Sequence, residues 1–288
     1  MRELFLDIGE LGWSLYLSAH MKWLKAKGQS VPAIMTFPDR ECLYEDIAPE
    51  IFWVPDSFYD DFDGSLQNCF GLYGVKVEKL REYFNSMFLG YFYISEKQPL
   101  SCGNWKKIFI DQMLFEAYPY KRKFRQGKEI LVFPRYRKKW PFASRNLPRV
   151  LYIDLLIRLC DENKDCVIKT MGTRSGAYNI TEKEVARNNY KNWVGKTANL
   201  QAVIERFQVA ICTIGGTSSL PKLALLQGVP SFIIGHEPER FKTDENWLDT
   251  KVGFYEVSSV GYNILHYIVN SRDCYCINKI VDFVKECQ

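Results

Sequence analysis

The sequence predicts an α/β protein with mostly parallel β-sheets, organised in two halves. Short apolar runs rich in β-branched residues alternate with longer segments whose apolar residues recur at helical spacing, as in strand–helix–strand units. Glycine and proline fall between these segments, where the chain has to turn. The length of 288 residues is enough for two domains, each with its own hydrophobic core.

The first half opens with one strand–helix–strand unit. A strand over Glu3–Ile8 leads through a short loop to an amphipathic helix over Ser14–Lys27, which Gly28 ends. A second strand follows over Val31–Phe37. Further apolar segments predict one more strand and one more helix, over Glu50–Val54 and Val75–Phe88.

The second half repeats the alternation more clearly. The expected strands are Glu129–Phe133, Cys166–Thr170 and Tyr190–Gly195. The expected helices are Leu147–Asp161, capped near Asn146, and Asn199–Phe207. Because right-handed crossovers return each strand beside the others, these strands should form a mostly parallel sheet.

A proline-containing segment at residues 118–120, just before a basic run, marks the predicted boundary between the halves. We expect an amino-terminal domain over residues 1–122 and a second domain over residues 123–261. The last segment, residues 262–288, has apolar residues at helical spacing. It should be a helical segment that packs across a sheet or back onto the first half.

The composition is that of a globular protein, with 47% hydrophobic and 25% charged residues, and it excludes a long disordered chain. No uninterrupted apolar run approaches the roughly 20 residues that a membrane helix needs, and acidic residues stand near the amino terminus where a signal peptide would be apolar. A cytoplasmic location is therefore expected. The nine cysteines, at irregular spacing, predict reduced thiols rather than a disulfide framework or a zinc site.

The most informative segment of the chain is Phe207–Gly235, FQVAICTIGGTSSLPKLALLQGVPSFIIG. Its pattern predicts a strand, a glycine turn, a helix and a second strand, in the order Gln208–Ile214, Gly215-Gly216, a helix that Gly228 ends, and Ser231–Ile234.

The start of that helix is a predicted anion site. The hydroxyls of Thr217, Ser218 and Ser219 are placed to cap the helix, and Pro221 fits its first turn. Unpartnered N–H groups and the positive end of the helix dipole favour an anion such as phosphate. The alternative is a tight turn with a helix cap and no ligand, since glycine-rich turns often carry none.

A basic segment supplies the second argument for phosphate binding. Residues 121–149 contain eleven basic residues and one acidic residue, Glu129, for a net charge of +10. Arg135, Arg137 and Lys138 follow the strand Glu129–Phe133 directly, at the sheet edge where ligands of parallel sheets bind. The alternatives are a solvated basic loop and a surface for nucleic acid.

Two motifs together resemble glycosyltransferases of the GT-B fold. They are the G-E-L-G-W loop after the first strand and the later G-G-T-S-S-L-P-K-L-A-L-L-Q-G-V-P. The second is similar to the S-G-x-M-H-L-A-A-A-L-G-V-P segment of bacterial heptosyltransferases, which holds the donor's diphosphate. Ser218 matches the Ser or Thr of that segment, while Ser219 stands where Gly is usual and Lys222 where His is usual. The resemblance therefore concerns the fold type rather than that family proper.

The resemblance implies two Rossmann-like domains facing each other across a cleft, and transfer of a sugar from a nucleotide-sugar donor to an acceptor hydroxyl. It also implies no metal and no further cofactor, because helix amides and cationic side chains stabilise the diphosphate leaving group. The acceptor class stays open among glycan, lipid-linked sugar, protein and nucleic acid. The residues assigned to the donor are Arg135, Arg137, Lys138, Gly172, Thr173, Gly215, Gly216, Thr217, Ser218, Ser219, Lys222 and Glu237.

Some of these assignments have a plain structural alternative. Gly172 and Thr173 could contact the donor sugar or base, or belong to a simple flexible loop. Glu237 could accept hydrogen bonds from ribose or sugar hydroxyls, or be a solvated loop acid. The segment Trp193–Thr197 could line the nucleotide-base pocket.

An inverting transfer also needs a general base on the amino-terminal half. Glu10, in the loop after the first strand, is the first candidate, and its alternative role is to assist the dipole of the following helix. Asp7 is the second candidate, although a residue within the strand is more readily structural.

Two other functions fit the same sequence. A sugar-nucleotide epimerase of the same fold would bind the same donors and need no acceptor. A nucleic-acid-binding or nucleic-acid-modifying protein would use the basic segment 121–149 on phosphates, with salt-sensitive affinity.

Overall fold

The computed structural model describes residues 2–7, 11–54, 82, 86, 92–94, 127–136, 146–196, 199–216, 218–235, 252–256 and 275–288. The chain divides into two units, Met1–Tyr118 and Pro119–Gln288. The described strands form one parallel sheet in each unit. Within the described residues, no helix combines the length and apolar character needed to cross a membrane.

The sheet of the first unit has four strands in the order β3-β2-β1-β4. They are β1 (Arg2–Asp7), β2 (Ala33–Thr36), β3 (Ile51–Trp53) and β4 (Phe92–Ile94). Helix α1 (Leu11–Ala26) connects β1 to β2, and a 3₁₀ helix (Pro38–Leu43) follows β2. The central strands are buried over Leu4–Asp7 of β1 and all of β2, as expected of a parallel sheet covered on both faces.

The sheet of the second unit has six strands in the order β10-β9-β8-β5-β6-β7. They are β5 (Glu129–Phe133), β6 (Val167–Thr170), β7 (Tyr190–Asn192), β8 (Ala210–Gly216), β9 (Ser231–Gly235) and β10 (Val252–Glu256). The described helices of this unit are α2 (Arg149–Glu162), α3 (Glu182–Val185), α4 (Leu200–Phe207), α5 (Ser219–Leu226) and α6 (Tyr275–Cys287).

The main core of the second unit lies on one face of this sheet. Ile130 and Val132 of β5 point into it, together with Ile214 of β8 and apolar residues of α2 and α6. The terminal helix α6 contributes Ile277, Ile280, Val281, Phe283 and Val284, the residues whose helical spacing the sequence shows. Helix α6 contacts α2, β8 and β10.

Most predicted elements of the described residues are confirmed within a few positions, and β5 matches its predicted bounds. The first helix begins earlier than predicted, at Leu11, and the strand β7 ends earlier, at Asn192. The strands β4 and β10 and the short helix α3 are not predicted from the sequence. The predicted helix Val75–Phe88 lies outside the described residues apart from Glu82 and Ser86, which are helical.

Candidate functional site

The candidate site lies at the carboxyl edge of the second sheet. All paired strands of this sheet run parallel, so the segments after β5, β6, β7 and β8 leave from the same edge. This is the edge at which parallel α/β sheets bind ligands. The segment after β5 carries Arg135, and the segment after β8 leads into α5.

Gly215 and Gly216 are the last two residues of β8, so the prediction that they form a turn is wrong. Both pair with β9, and Gly215 also pairs with Phe133 of β5. A Cβ atom at Gly216 would lie 2.8 Å from Cδ and 3.0 Å from Cβ of Arg135. A Cβ atom at Gly215 would lie 2.7 Å from Cγ of Pro221. The glycines are therefore required because an arginine and a helix pack directly on the strand.

Arg135 is held at both its backbone and its side chain. Its backbone pairs with Ala177 in an isolated antiparallel bridge, flanked by hydrogen bonds from Tyr136 N to Gly176 O at 2.9 Å and from Tyr178 N to Pro134 O at 2.8 Å. Its Nη1 donates to Oδ1 of Asn146 at 2.7 Å, and the residue is only 7% exposed. The side chain thus has a defined position beside the end of β8.

Asn146 has a different role from the predicted one. The residue at the N-cap of α2 is Pro148, which has no side-chain capping bond, and the Asn146 amide accepts from Arg135 instead. Arg149, counted in the basic segment, is the first residue of α2 and forms an ion pair with Glu184 at 2.5 Å. Arg149 therefore links α2 to α3.

Helix α5 begins directly after the glycine pair. Ser218 is its N-cap residue but makes no side-chain capping bond, contrary to the predicted role of its hydroxyl. The third helical residue is Pro221, and proline has no N–H to donate at the position that an N-cap side chain usually contacts. Pro221 lies in the first turn as predicted, and Gly228 follows the helix with φ of +78°.

Lys222 and Ser219 both belong to this helix. Ser219 is the first helical residue, and Lys222 lies one turn into the helix with 7% exposure. A lysine this deeply buried packs its alkyl chain against the protein.

The loop after β6 joins the same neighbourhood. Gly172 has φ of +145°, and a Cβ atom there would lie 2.7 Å from Cβ of Ala177, the residue that pairs with Arg135. The Thr173 hydroxyl accepts the backbone N–H of Gly176 at 3.0 Å, which tightens the loop. The carbonyl of Gly172 also accepts the N–H of Gly195 at 2.8 Å. Gly172 thus packs on Ala177, the residue that pairs with Arg135, and the side chain of Arg135 lies on Gly216.

Trp193, the residue directly after β7, contacts a charged cluster. Its ring lies 4.3 Å from Nζ of Lys169 and 4.8 Å from the guanidinium carbon of Arg206. Both cations contact Oε1 of Glu129, at 2.5 Å and 3.5 Å respectively. Nothing in the sequence pattern indicates this cluster, because its members are far apart in the chain.

Asp7, the second candidate for the general base, lies at the end of β1 in the first unit and is 2% exposed. Its carboxylate accepts hydrogen bonds from Ser14 Oγ at 2.9 Å, Thr36 Oγ1 at 2.8 Å and Tyr44 OH at 2.8 Å. Arg40 Nη1 lies 3.4 Å from the same carboxylate and 2.9 Å from Ser14 Oγ. These contacts join β1, β2, α1 and the 3₁₀ helix, and they support a structural role for Asp7.

The remaining site predictions fall on residues that the structure does not describe. They are Glu10, Arg137, Lys138, Thr217 and Glu237. Their assignments stay predictions.

No protein-family model matches this chain, and no curated protein matches it in sequence. Solved structures do match in fold. E. coli ADP-heptose LPS heptosyltransferase II matches with a TM-score of 0.54 and 11% identity, covering 99% of each chain. An E. coli heptosyltransferase with ADP matches with a TM-score of 0.52 and 9% identity, covering 94% of this chain and 99% of its own. A family 9 glycosyl transferase from Veillonella parvula matches with a TM-score of 0.50 and 11% identity, covering 93% and 89%.

The heptosyltransferase resemblance that the sequence motif suggests is thus found again in the fold. At these identities the likeness concerns the fold alone. The chain has the α/β fold with parallel sheets of the GT-B glycosyltransferases.

Proposed function

We propose that the protein is a glycosyltransferase that moves a sugar from a nucleotide-sugar donor to an acceptor hydroxyl. The observation that carries the proposal is the packing of Arg135 on Gly216, directly before the start of α5. Arg135 and the N terminus of α5 thereby share the edge where parallel sheets bind ligands. A fold neighbour from E. coli, a heptosyltransferase, was solved with ADP.

The chemistry of such a transfer explains why these groups are useful. The leaving group is a nucleoside diphosphate, whose negative charge grows as the glycosidic bond breaks. The first N–H groups of a helix have no partner within the helix, and in α5 these include Ser219 and Leu220. Together with the dipole of α5 and the guanidinium of Arg135, they would stabilise the developing charge.

We extend the proposal to a transfer that needs no metal ion. Arg137 and Lys138 follow Arg135 in the basic segment, and three cations in succession can supply the positive charge that a divalent ion supplies elsewhere. Lys222, one turn into α5, adds a fourth cation from a different element.

Donor binding is tested by thermal unfolding with ADP, UDP, GDP, TDP, CMP and their sugars, in EDTA. A ligand at 100 times its dissociation constant should add about 2.7 kcal/mol to the free energy of unfolding. Arg135→Ala should weaken binding of the stabilising nucleotide by roughly ten- to hundredfold, since a hydrogen bond to a charged group contributes about 1.5–3 kcal/mol.

The matched control for this experiment is Arg158→Ala. Arg158 lies on the same unit in α2 and pairs with Glu162, one turn along that helix. It should leave nucleotide binding unchanged. Normal nucleotide affinity in Arg135→Ala would refute the assignment of Arg135 to the donor's phosphates.

Glu10 is the first candidate for the general base of the proposed transfer, and a variant of this residue tests that role. Glu10→Gln removes the proton acceptor but keeps nearly the same shape, so donor binding should persist while transfer to an acceptor is lost. Turnover is measured as release of nucleoside diphosphate in the presence of candidate acceptors. A fully active variant would remove Glu10 from the mechanism.

The same measurements separate the other two functions. Epimerisation of the donor sugar without any acceptor would identify an epimerase. Retention of oligonucleotides at low ionic strength, lost steeply as salt is added and with no nucleotide-sugar binding, would identify a nucleic-acid-binding protein.

A further inference from the structure

We infer that Asn146 is a positioning residue for Arg135, and that it sets the affinity of this site for the donor's phosphates. The inference rests on the proposed function, because it concerns the same site. Asn146 acts through the guanidinium of Arg135, whose Nη1 donates to Asn146 Oδ1 at 2.7 Å.

The side chain of Arg135 is held in place along its whole length. The backbone is held by the bridge to Ala177, and the first part of the side chain lies on Gly216, where no Cβ atom intervenes. Asn146 then contacts the far end, at Nη1. The backbone, the aliphatic part and the guanidinium of Arg135 are therefore each held by a contact. Contacts of this kind pre-organise a binding group.

The group that accepts the hydrogen bond from Arg135 is the uncharged amide oxygen of Asn146. An amide oxygen orients a guanidinium without neutralising its charge, whereas a carboxylate in the same place would form an ion pair and oppose a bound anion. An asparagine is therefore suited to an arginine whose charge is used on phosphate.

Arg135 and Asn146 are eleven positions apart, and the sequence between them carries Arg137, Lys138, Lys139 and Arg145. The hydrogen bond therefore joins two described residues on either side of a strongly basic stretch of sequence.

The test compares Asn146→Ala, Asn146→Asp and Arg135→Ala by calorimetric titration with ADP, adenosine and inorganic pyrophosphate. Asn146→Ala should weaken pyrophosphate and ADP by about three- to tenfold, a fraction of the loss from removing the charge itself. Asn146→Asp should weaken them further, because its carboxylate repels the phosphates. Adenosine, which has no phosphate, should bind to every variant as it does to the unmodified protein.

The control is Asn199→Ala. Asn199 caps α4 by accepting the N–H of Ala202 at 2.9 Å, so its loss removes an asparagine hydrogen bond from another helix start. It should lower stability without a selective loss of phosphate-bearing ligands.

Each other outcome overturns a different statement. Unchanged pyrophosphate affinity in both Asn146 variants, with loss in Arg135→Ala, would refute the positioning role and leave the proposed function standing. Equal losses for adenosine and ADP in Asn146→Ala would show a merely structural residue. No binding of ADP or pyrophosphate to the unmodified protein would refute the phosphate site and, with it, the inference.

Discussion

Among single residues, Arg135 and Gly216 determine each other's place. A methyl group at Gly216 would lie 2.8 Å from Cδ of Arg135, closer than side-chain carbons approach each other. Gly216→Ala should therefore displace the arginine without removing its charge. We expect a stability cost of roughly 1–3 kcal/mol from overpacking, and weaker pyrophosphate binding, measured by urea unfolding and titration calorimetry.

The comparison variant for Gly216→Ala is Gly228→Ala. Gly228 follows α5 with φ of +78°, where alanine costs about 1–2 kcal/mol of backbone strain. That change lies at the opposite end of the helix from Arg135. Equal pyrophosphate affinities in the two variants would show that the effect of Gly216→Ala is general destabilisation.

The contacts of Asp7 show why residue type alone assigns function poorly. A buried carboxylate at the end of a strand is equally suited to accept a substrate proton or to join elements. Here Ser14, Thr36 and Tyr44 all donate to it, and Arg40 lies beside it. Those partners are seven to thirty-seven positions away, so the sequence around Asp7 does not reveal them.

Among the helices and strands, the buried parallel strands are the most predictable part of this fold. A run such as Glu129–Phe133 is apolar because both faces of the strand are covered, and its bounds are predicted correctly. The sequence predicts a turn at the end of β8, where the structure has two more strand residues. Glycine is favoured in turns and also where another group packs closely on a strand, and only the packing partners distinguish these two cases.

The predicted cap of α2 near Asn146 is also wrong, because the sequence does not show which tertiary partner the asparagine has. Asparagine is a good N-cap residue, but Asn146 accepts from Arg135, whose guanidinium is a stronger donor than a backbone N–H. The site itself was partly predictable. Arg135 follows from its position after a strand, whereas its supports Asn146 and Ala177 depend on tertiary contacts.

The packing of helix α6 on the sheet can be tested through Phe283. Phe283 is 6% exposed, and its ring lies 5.4 Å from that of Phe232 on β9. Phe283→Ala should lower the free energy of unfolding by about 3–5 kcal/mol, because it leaves a cavity between α6 and the sheet. Urea unfolding measures the loss.

The control on the same helix is Lys279→Ala, an exposed position that should change stability by no more than about 0.5 kcal/mol. If Phe283→Ala were as mild as Lys279→Ala, α6 would not be part of the core of the second unit.

For the molecule as a whole, four carboxylates of the second unit contribute to the loss of stability in acid. The pKa of Glu182 is lowered chiefly by the backbone N–H of Asn192, and that of Glu184 chiefly by the backbone N–H of Thr181. The pKa of Glu162 is lowered chiefly by a hydrogen bond from Lys285, which joins α2 to α6. The pKa of Asp161 is lowered chiefly by Arg187.

Because these folded-state pKa values are lowered, the stability that the groups contribute is present above their ordinary values, 4.5 for Glu and 3.8 for Asp. It is lost as the pH falls through the folded values. We therefore expect the thermal unfolding midpoint to fall as the pH is lowered below about 4.5, where these carboxylates begin to be protonated.

Glu182→Gln tests the origin of this fall. Glutamine can still accept the N–H of Asn192, which lies 2.9 Å from the Glu182 carboxylate, but it does not titrate. Its midpoint should be slightly lower at pH 6, since a charge-assisted bond becomes a neutral one, and should fall less on acidification. A variant that loses stability in acid as steeply as the unmodified protein would show that Glu182 takes no part, and a level midpoint down to pH 3 in the unmodified protein would contradict the prediction for all four groups.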